Sequence, residues 1–296
     1  MPEPGETSPT VPERDGYPAG VPCWVDTSQP DPAAAARFYG DLFGWECEDR
    51  MPPDVPGSYY MARLRGRDVA GIGSAMPGGS PTPVWMTYIA VDSADATAER
   101  VREAGGQVLL EPFDVFDAGR MAMFADAEGA VFAVWQAGLH PGAGLVNEPG
   151  TVVFNGLNCR DPETARAFYG RVFGWEVDLA GDGFTMWRLP GYGEHPEARD
   201  PGLRARLESA GAPPGFADVV ASLASMGDRH PEGTPPHWDV TFSSADADAT
   251  AARAEELGGA VVVPPFDAPW VRMTVLRDPQ GAHFIASTYR PDNAPG

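Results

Sequence analysis

The sequence predicts an α+β protein built as a duplication of a duplication: two matched halves, each of two successive strand-helix-three-strand units. Two observations predict it. The nonamer Phe38-Tyr39-Gly40-Asp41-Leu42-Phe43-Gly44-Trp45-Glu46 returns as Phe168-Tyr169-Gly170-Arg171-Val172-Phe173-Gly174-Trp175-Glu176, changed only at its fourth and fifth residues. Further landmarks return in the same order: Asp95-Ala96-Thr97 as Asp248-Ala249-Thr250, Gly105-Gly106 as Gly258-Gly259, and Pro112-Phe113-Asp114 as Pro265-Phe266-Asp267. Repetition on this scale marks copies of one supersecondary unit.

Residues 1–20 are rich in Pro, Glu, Thr and Gly, a composition that buries little apolar surface, and are expected to form a flexible tail. Val21 to Thr27 is a short apolar run and reads as a strand. Asp31-Pro32 starts a helix, since Asp can accept from free amides of the first turn and Pro suits its first position. The helix is expected over Ala33 to Tyr39, with Gly40 and Gly44 at its exit and Trp45-Glu46 opening a strand. Strands follow at Tyr59 to Leu64 and Val69 to Ser74, turned by Gly66.

The next unit repeats the order. A strand at Val84 to Val91 precedes a helix at Asp95 to Ala104, stopped by Gly105-Gly106. Strands at Gln107 to Leu110, Met121 to Ala125 and Val131 to Gln136 complete a first domain over residues 21–137. Residues 138–150 are a Pro-Gly linker. The second domain, residues 151–290, starts with a strand at Thr151 to Asn158 and a helix at Glu163 to Tyr169, and Phe184 to Leu189 matches Tyr59 to Leu64. The nonamers lie 130 positions apart but Trp85 and Trp238 lie 153 apart. An insertion must therefore fall within residues 190–236, where Gly191-Tyr192-Gly193-Glu194-His195 and a helix-like stretch over Ala217 to Met226 occur.

Acidic residues outnumber basic ones 42 to 21, for a formal charge of -21. That field repels phosphate backbones and anionic membranes, so neither nucleic acid nor a membrane surface is expected as a partner. Three cysteines without metal-ligand spacing, and no long apolar run, fit a cytoplasmic chain. No Ser-His-Asp order, phosphate loop or CxxC is present.

Four such units, with Phe-Tyr-x-x-x-Phe-Gly-Trp-Glu after the first helix of each half, resemble the vicinal oxygen chelate superfamily, which holds glyoxalases, extradiol dioxygenases and bleomycin-resistance binding proteins. The resemblance runs from Val21 to Tyr289. The Gly-Tyr-Gly-Glu-His segment and the turn Asp278-Pro279-Gln280-Gly281-Ala282 are similar to tandem actinobacterial members called glyoxalase-like or hydroxylase. It implies that each half is an open, eight-stranded, cup-shaped sheet with helices outside and a cleft on the concave face. In metal-dependent members the ligands come from the first strand of each unit and from the closing strands. Counting from the helix starts, these positions are Trp24, Met86 and Ala133 in the first half. In the second they are Phe154, Asp239 and Ile285, with His237 and Trp238 close to the count. Trp, Phe, Met, Ala and Ile are not donors for a hard metal ion, so neither a catalytic metal nor another cofactor is expected.

The clefts then read as pockets for a small aromatic or polycyclic metabolite, walled by Trp24, Trp85, Phe154, Trp187 and Trp238, with Asp26 on the face of Trp24. His237 and Asp239, two apart on one strand, are the candidate acid/base pair, and His195 in the insertion is a candidate lid residue. His283 reads as structural, and His140 and His230 carry no assignment. Arg120 and Arg272, in equivalent places, read as fold-supporting ion pairs. The favoured function is a metal-independent enzyme of specialised metabolism. A protein that sequesters an antibiotic-like ligand and a metal-dependent glyoxalase or dioxygenase are the alternatives. Two halves in one chain can pair internally, which leaves monomer and homodimer both open.

Overall fold

A computed structural model of the chain describes residues 16–75, 82–178, 184–227, 230 and 233–293. The first half forms an eight-stranded sheet from β1 (Pro22–Gln29), β2 (Glu46–Asp49), β3 (Tyr59–Leu64), β4 (Arg67–Ser74), β5 (Trp85–Ala90), β6 (Gln107–Val115), β7 (Gly119–Ala125) and β8 (Val131–Ala137). Its strand order is β2-β3-β4-β1-β5-β8-β7-β6. Helix α1 (Pro32–Phe43) follows β1 and α2 (Ala94–Glu103) follows β5. The second half comprises β9 (Val152–Cys159), α3 (Pro162–Phe173), β10 (Phe184–Arg188), α4 (Glu194–Arg199), α5 (Leu203–Ser209), β11 (Val219–Ser225), β12 (His237–Ser243), α6 (Ala247–Glu256), β13 (Ala260–Ala268), β14 (Val271–Arg277) and β15 (His283–Tyr289). Its sheet runs β10-β11-β9-β12-β15-β14-β13.

Among the described residues that sheet has seven strands where eight were expected. Among the described residues the counterpart of β2 is a single bridge between Glu176 and Arg188. The helix-like stretch after Ala217 is instead mostly strand β11, which pairs with β9 and β10. Its alternating Val219-Val220-Ala221-Ser222-Leu223 occupies the slot that β4 fills in the first half, and sheet pairing prevails over local helix preference. The insertion is therefore the segment between β10 and β11, with α4 and α5 within it. Gly16 to Gly20, expected in the flexible tail, is packed: the Tyr17 hydroxyl donates to the Ala143 carbonyl at 2.7 Å and Gly20 N–H to the Ala90 carbonyl at 2.8 Å. Residues 1–15 lie outside the described residues.

The nonamer helices start as their sequence dictates. Asp31 Oδ1 accepts from Ala34 N–H at 2.9 Å and Asp161 Oδ1 from Glu163 N–H at 3.0 Å. Both continue past the expected end at Tyr39 and Tyr169 to Phe43 and Phe173, and close on left-handed Gly44 and Gly174. Gly40 is thus inside α1, where a Cβ would sit 3.1 Å from the Trp45 carbonyl oxygen. Its place is explained by close approach of the returning chain.

The two main cores each draw on both halves. One joins α1 and the helix-side faces of β1, β3, β4 and β5 with α6, β12, β14 and β15, and includes Phe38, Tyr39, Trp45, Trp85, Phe242 and Phe284. The other joins α2, β7 and β8 with α3, β9, β11 and β12, and includes Phe132, Phe168, Tyr169, Trp175, Trp187 and Trp238. The nonamer supplies the polar stitches. Trp45 Nε1 donates to the Gly150 carbonyl and Trp175 Nε1 to the Gly20 carbonyl, both at 2.7 Å. Each tryptophan thereby grips the chain just before the first strand of the opposite half. Among the described residues no helix is long and apolar enough to cross a membrane.

Candidate functional site: two cups of unequal chemistry

Each sheet has a face turned away from the helices, and strand pairing fixes which side chains share it. In the first half one row runs Met61, Gly71, Asp26, Met86, and the next includes Trp24, Tyr88, Ala133 and Met123. In the second half the matching row runs Met186, Ser222, Gly156, Asp239, and its neighbour runs Phe154, Thr241, Ile285. Each cup has one carboxylate in the same row. In the first cup it is on the opening strand β1, and in the second it is one strand over, on β12.

Of the expected site residues, Trp24, Asp26, Phe154, His237 and Asp239 lie on these cup faces. Trp85, Trp187 and Trp238 do not. Trp85 is in the first shared core with Nε1 donating to Tyr39 Oη at 2.9 Å, and Trp238 is in the second with Nε1 on Tyr169 Oη at 2.9 Å. Trp187 is fully buried beside Trp175 and Tyr169. The reason is register: Asp26 pairs with Met86, so alternation turns Trp85 to the helix side, and β12 follows with Trp238. Pairing also sets Tyr88 and Thr241 directly across from Trp24 and Phe154, two residues along from the counted positions Met86 and Asp239.

In the second cup Asp239 is half-buried and its pKa is raised, chiefly by burial, against the opposing effect of His237 and of an Asn158 hydrogen bond. Asn158 Nδ2 donates to Oδ2, and His237 Nε2 lies 3.6 Å from Oδ1. The other ring nitrogen of His237, Nδ1, is 2.9 Å from the Pro235 carbonyl, which orients the imidazole. His230 packs edge-on against His237 at 6.2 Å between centroids, and His283 is close enough to act on Asp239 electrostatically. These two histidines were missed in sequence because they come from a Pro-Gly loop and a different strand. Burial, helped by Arg277, holds the His283 imidazole below its usual pKa.

The insertion bridges the two edges of this sheet. It leaves at β10 on one edge, and Gly211 comes so close to the Trp270 ring, in the turn between β13 and β14 at the other edge, that a Cβ would lie 2.8 Å from it. His195 is in α4 within this segment, stacked on Tyr192 at 6.3 Å, so it belongs to the cover and not to the floor.

The first cup holds a different arrangement. Tyr59 and Tyr88 both donate to Asp26 Oδ2, at 3.2 and 2.9 Å, and Trp24 Nε1 donates to Tyr59 Oη at 3.1 Å. Burial pushes the Asp26 carboxyl up to about 6, against the two hydroxyls. His140, unassigned in sequence, packs its ring edge-on to Trp24 at 4.5 Å. Two shallow grooves of about 310 and 400 Å³ lie elsewhere, beside Phe43 and Arg253 and beside Arg37 and Tyr60, and hold none of these groups.

The metal chemistry of related folds needs three converging donors. Among the described residues no group of three His, Cys, Asp or Glu side chains is placed to hold an ion. The second cup offers His237 and Asp239 from a single strand, with His283 on β15, His230 in the loop before β12 and Asn158 on β9, a set that does not converge on one point among the described residues, and the first offers Asp26. These donor sets do not fit such a site.

The Glyoxalase/Bleomycin resistance protein/Dioxygenase superfamily model matches residues 24–134, and a Glyoxalase-like domain model matches residues 151–286. CFP32 of Mycobacterium tuberculosis (strain CDC 1551 / Oshkosh) is 41% identical over 281 residues, covering 93% of this chain and 97% of that one. The chain belongs to the vicinal oxygen chelate superfamily. Another member of similar extent is the Anthracycline biosynthesis protein DnrV of Streptomyces peucetius, 36% identical over 288 residues and 90% and 92% covered. A solved relative in fold is the Mn(II)-bound glyoxalase from Novosphingobium aromaticivorans, at a TM-score of 0.58, 17% identity, and coverage of 91% of this chain and 82% of that one.

Proposed function

We propose that this superfamily member is an enzyme that moves a proton within a small, flat, apolar molecule held in the second cup, without a metal. The observation that carries the reading is Asp239: a half-buried carboxylate with raised basicity, set by Asn158 and within 3.6 Å of the His237 imidazole. A carboxylate of this kind can take a proton from a carbon next to a carbonyl, and an imidazole beside it can deliver one to oxygen. The proton gained by Asp239 then passes to His237 Nε2, 3.6 Å from Oδ1, which restores the pair, so tautomerisation or a related isomerisation needs no co-reactant. Phe154, Met186 and Ile285 supply apolar wall, and the insertion narrows access to it. The name of the Streptomyces peucetius relative supports a polycyclic aromatic substrate of specialised metabolism.

The test is hydrogen exchange. The full chain, purified without chelator, is incubated in D2O with polycyclic phenolic ketones bearing an enolisable C–H, and deuterium uptake is read by mass spectrometry. Uptake is expected to fall about 10²-fold or more in Asp239→Asn. Uptake unchanged in both Asp239→Asn and His237→Ala would overturn the reading. Tight stoichiometric binding with the ligand recovered unexchanged would instead assign the chain to sequestration.

A further inference from the structure

The first cup contains a half-buried carboxylate with no counter-charge among the described residues. Asp26 Oδ2 takes both tyrosine hydroxyls, while Oδ1 accepts from no donor among the described residues, and no arginine or histidine is paired with the carboxylate. At neutral pH a carboxyl titrating near 6 is mostly ionised. An ionised carboxylate in a low-dielectric site is costly unless a positive partner meets it. The second cup resolves the same problem with histidines around Asp239. The first has none facing Asp26, and His140 is turned to Trp24 and Asp68.

The surroundings are built to keep that carboxylate aimed outward. Asp26 pairs with Gly71 on β4, and Tyr59 pairs with Gly73. A Cβ on Gly71 would lie 2.1 Å from Tyr59 Oη, and one on Gly73 would lie 3.1 Å from its ring. The two glycines therefore form a slot in which the Tyr59 ring lies flat with its hydroxyl on Asp26. Around this polar centre stand Met61, Met86, Met121 and Met123, partly exposed, over the buried rings of Trp24 and Tyr88. Aromatic faces attract cations, and methionine adapts to the shape of an apolar ligand.

We propose that the first cup is a separate binding site for an organic cation, a protonated amine on an apolar aromatic body, with Asp26 as its counter-ion. The ammonium donates to Asp26 Oδ1, and the apolar body rests on the partly exposed methionines. The chain's formal charge of -21 raises the local concentration of such cations.

The experiment compares 2-naphthylmethylammonium with neutral 2-naphthylmethanol by calorimetric titration of the full chain at pH 7.5, in 0.15 M and 0.5 M salt. The amine is expected to bind about tenfold or more tightly than the alcohol at both salts, as a desolvated ion pair should. In Asp26→Asn, with its melting curve retained, the ratio is expected to fall to about one. Gly71→Ala, which pushes Tyr59 off the carboxylate, is expected to lower it several-fold and serves if Asp26→Asn does not fold. A ratio near one in the native protein would overturn the proposal. So would a preference that survives Asp26→Asn and disappears in 0.5 M salt, which would assign it to the diffuse acidic field. The readout is binding, so it stands apart from any turnover in the second cup.

Discussion

The Tyr39 hydroxyl donates to Asp278 Oδ2 at 2.9 Å across 239 positions of sequence, and Tyr169 makes the same bond to Asp126 at 3.0 Å. In each case a nonamer tyrosine reaches the turn before the closing strand of the other half. Both tyrosines also accept from a core tryptophan, Trp85 and Trp238. Removing the hydroxyl therefore leaves an indole N–H and a carboxylate oxygen short of a partner at once. Tyr39→Phe and Tyr169→Phe are each expected to cost about 1–3 kcal/mol in urea unfolding, and a loss below about 0.5 kcal/mol would show that these bonds do not hold the halves together.

Asp26 predicts a pH dependence of stability with a defined sign. Its folded pKa of about 6 lies above the usual value of 3.8. Between pH 4 and 6 the folded chain holds a proton that the unfolded chain has released, so stability from this group is lost as pH rises. Tyr59 and Tyr88 face it from β3 and β5, and their burial and the carboxylate itself keep them protonated over that range. Stability of the native protein relative to Asp26→Asn should drop by about 1–3 kcal/mol from pH 4 to pH 7. A difference constant over that range would be incompatible with a buried ionisable Asp26.

Proton abstraction by Asp239 requires its ionised form. Because burial raises its pKa, the rate of deuterium uptake should climb with pH through a limb lying above the ordinary aspartate range. Asp239→Asn should flatten that limb. An uptake profile with no such limb, or one kept by Asp239→Asn, would remove Asp239 from the chemistry.

The cover of the second cup can be loosened at one atom. Gly211 has a φ of +80° and meets the Trp270 ring, so Gly211→Ala combines a left-handed backbone penalty of about 1–2 kcal/mol with a direct clash. Proteolysis within residues 190–218 should speed up by roughly tenfold, since each 1.4 kcal/mol of opening free energy is worth that factor. An unchanged cutting rate would mean that this contact does not secure the cover.

Much of the fold was legible because the duplication prints each element twice. The paired Arg120 and Arg272 were readable for the same reason: each bonds an aspartate of the adjacent helix, Asp95 or Asp248, and one on the neighbouring strand, Asp114 or Asp267. Faces of strands were harder. Alternation says that Trp24 and Asp26 agree and that Trp85 and Thr87 agree, but only the pairing between β1 and β5 decides that the two sets oppose each other. The Asp26 cluster was half visible. Tyr59 joins it because β3 and β4 lie beside β1, and Gly71 and Gly73 make the space, a relation between three strands that no local spacing records. Strand β11 was misread as helix because Ala, Ser and Met in a short window carry little strand signal until β9 offers its edge.

Each of the two main cores is filled jointly, α1 with α6 and α2 with α3. A chain cut inside residues 138–150 would yield two polypeptides, each with its helix-side aromatics in water. Neither would hold a complete interior until the other arrived. Inheritance of the two cups is therefore linked: they can drift apart in chemistry, as the shifted carboxylate illustrates, but not be parted as independently folding modules.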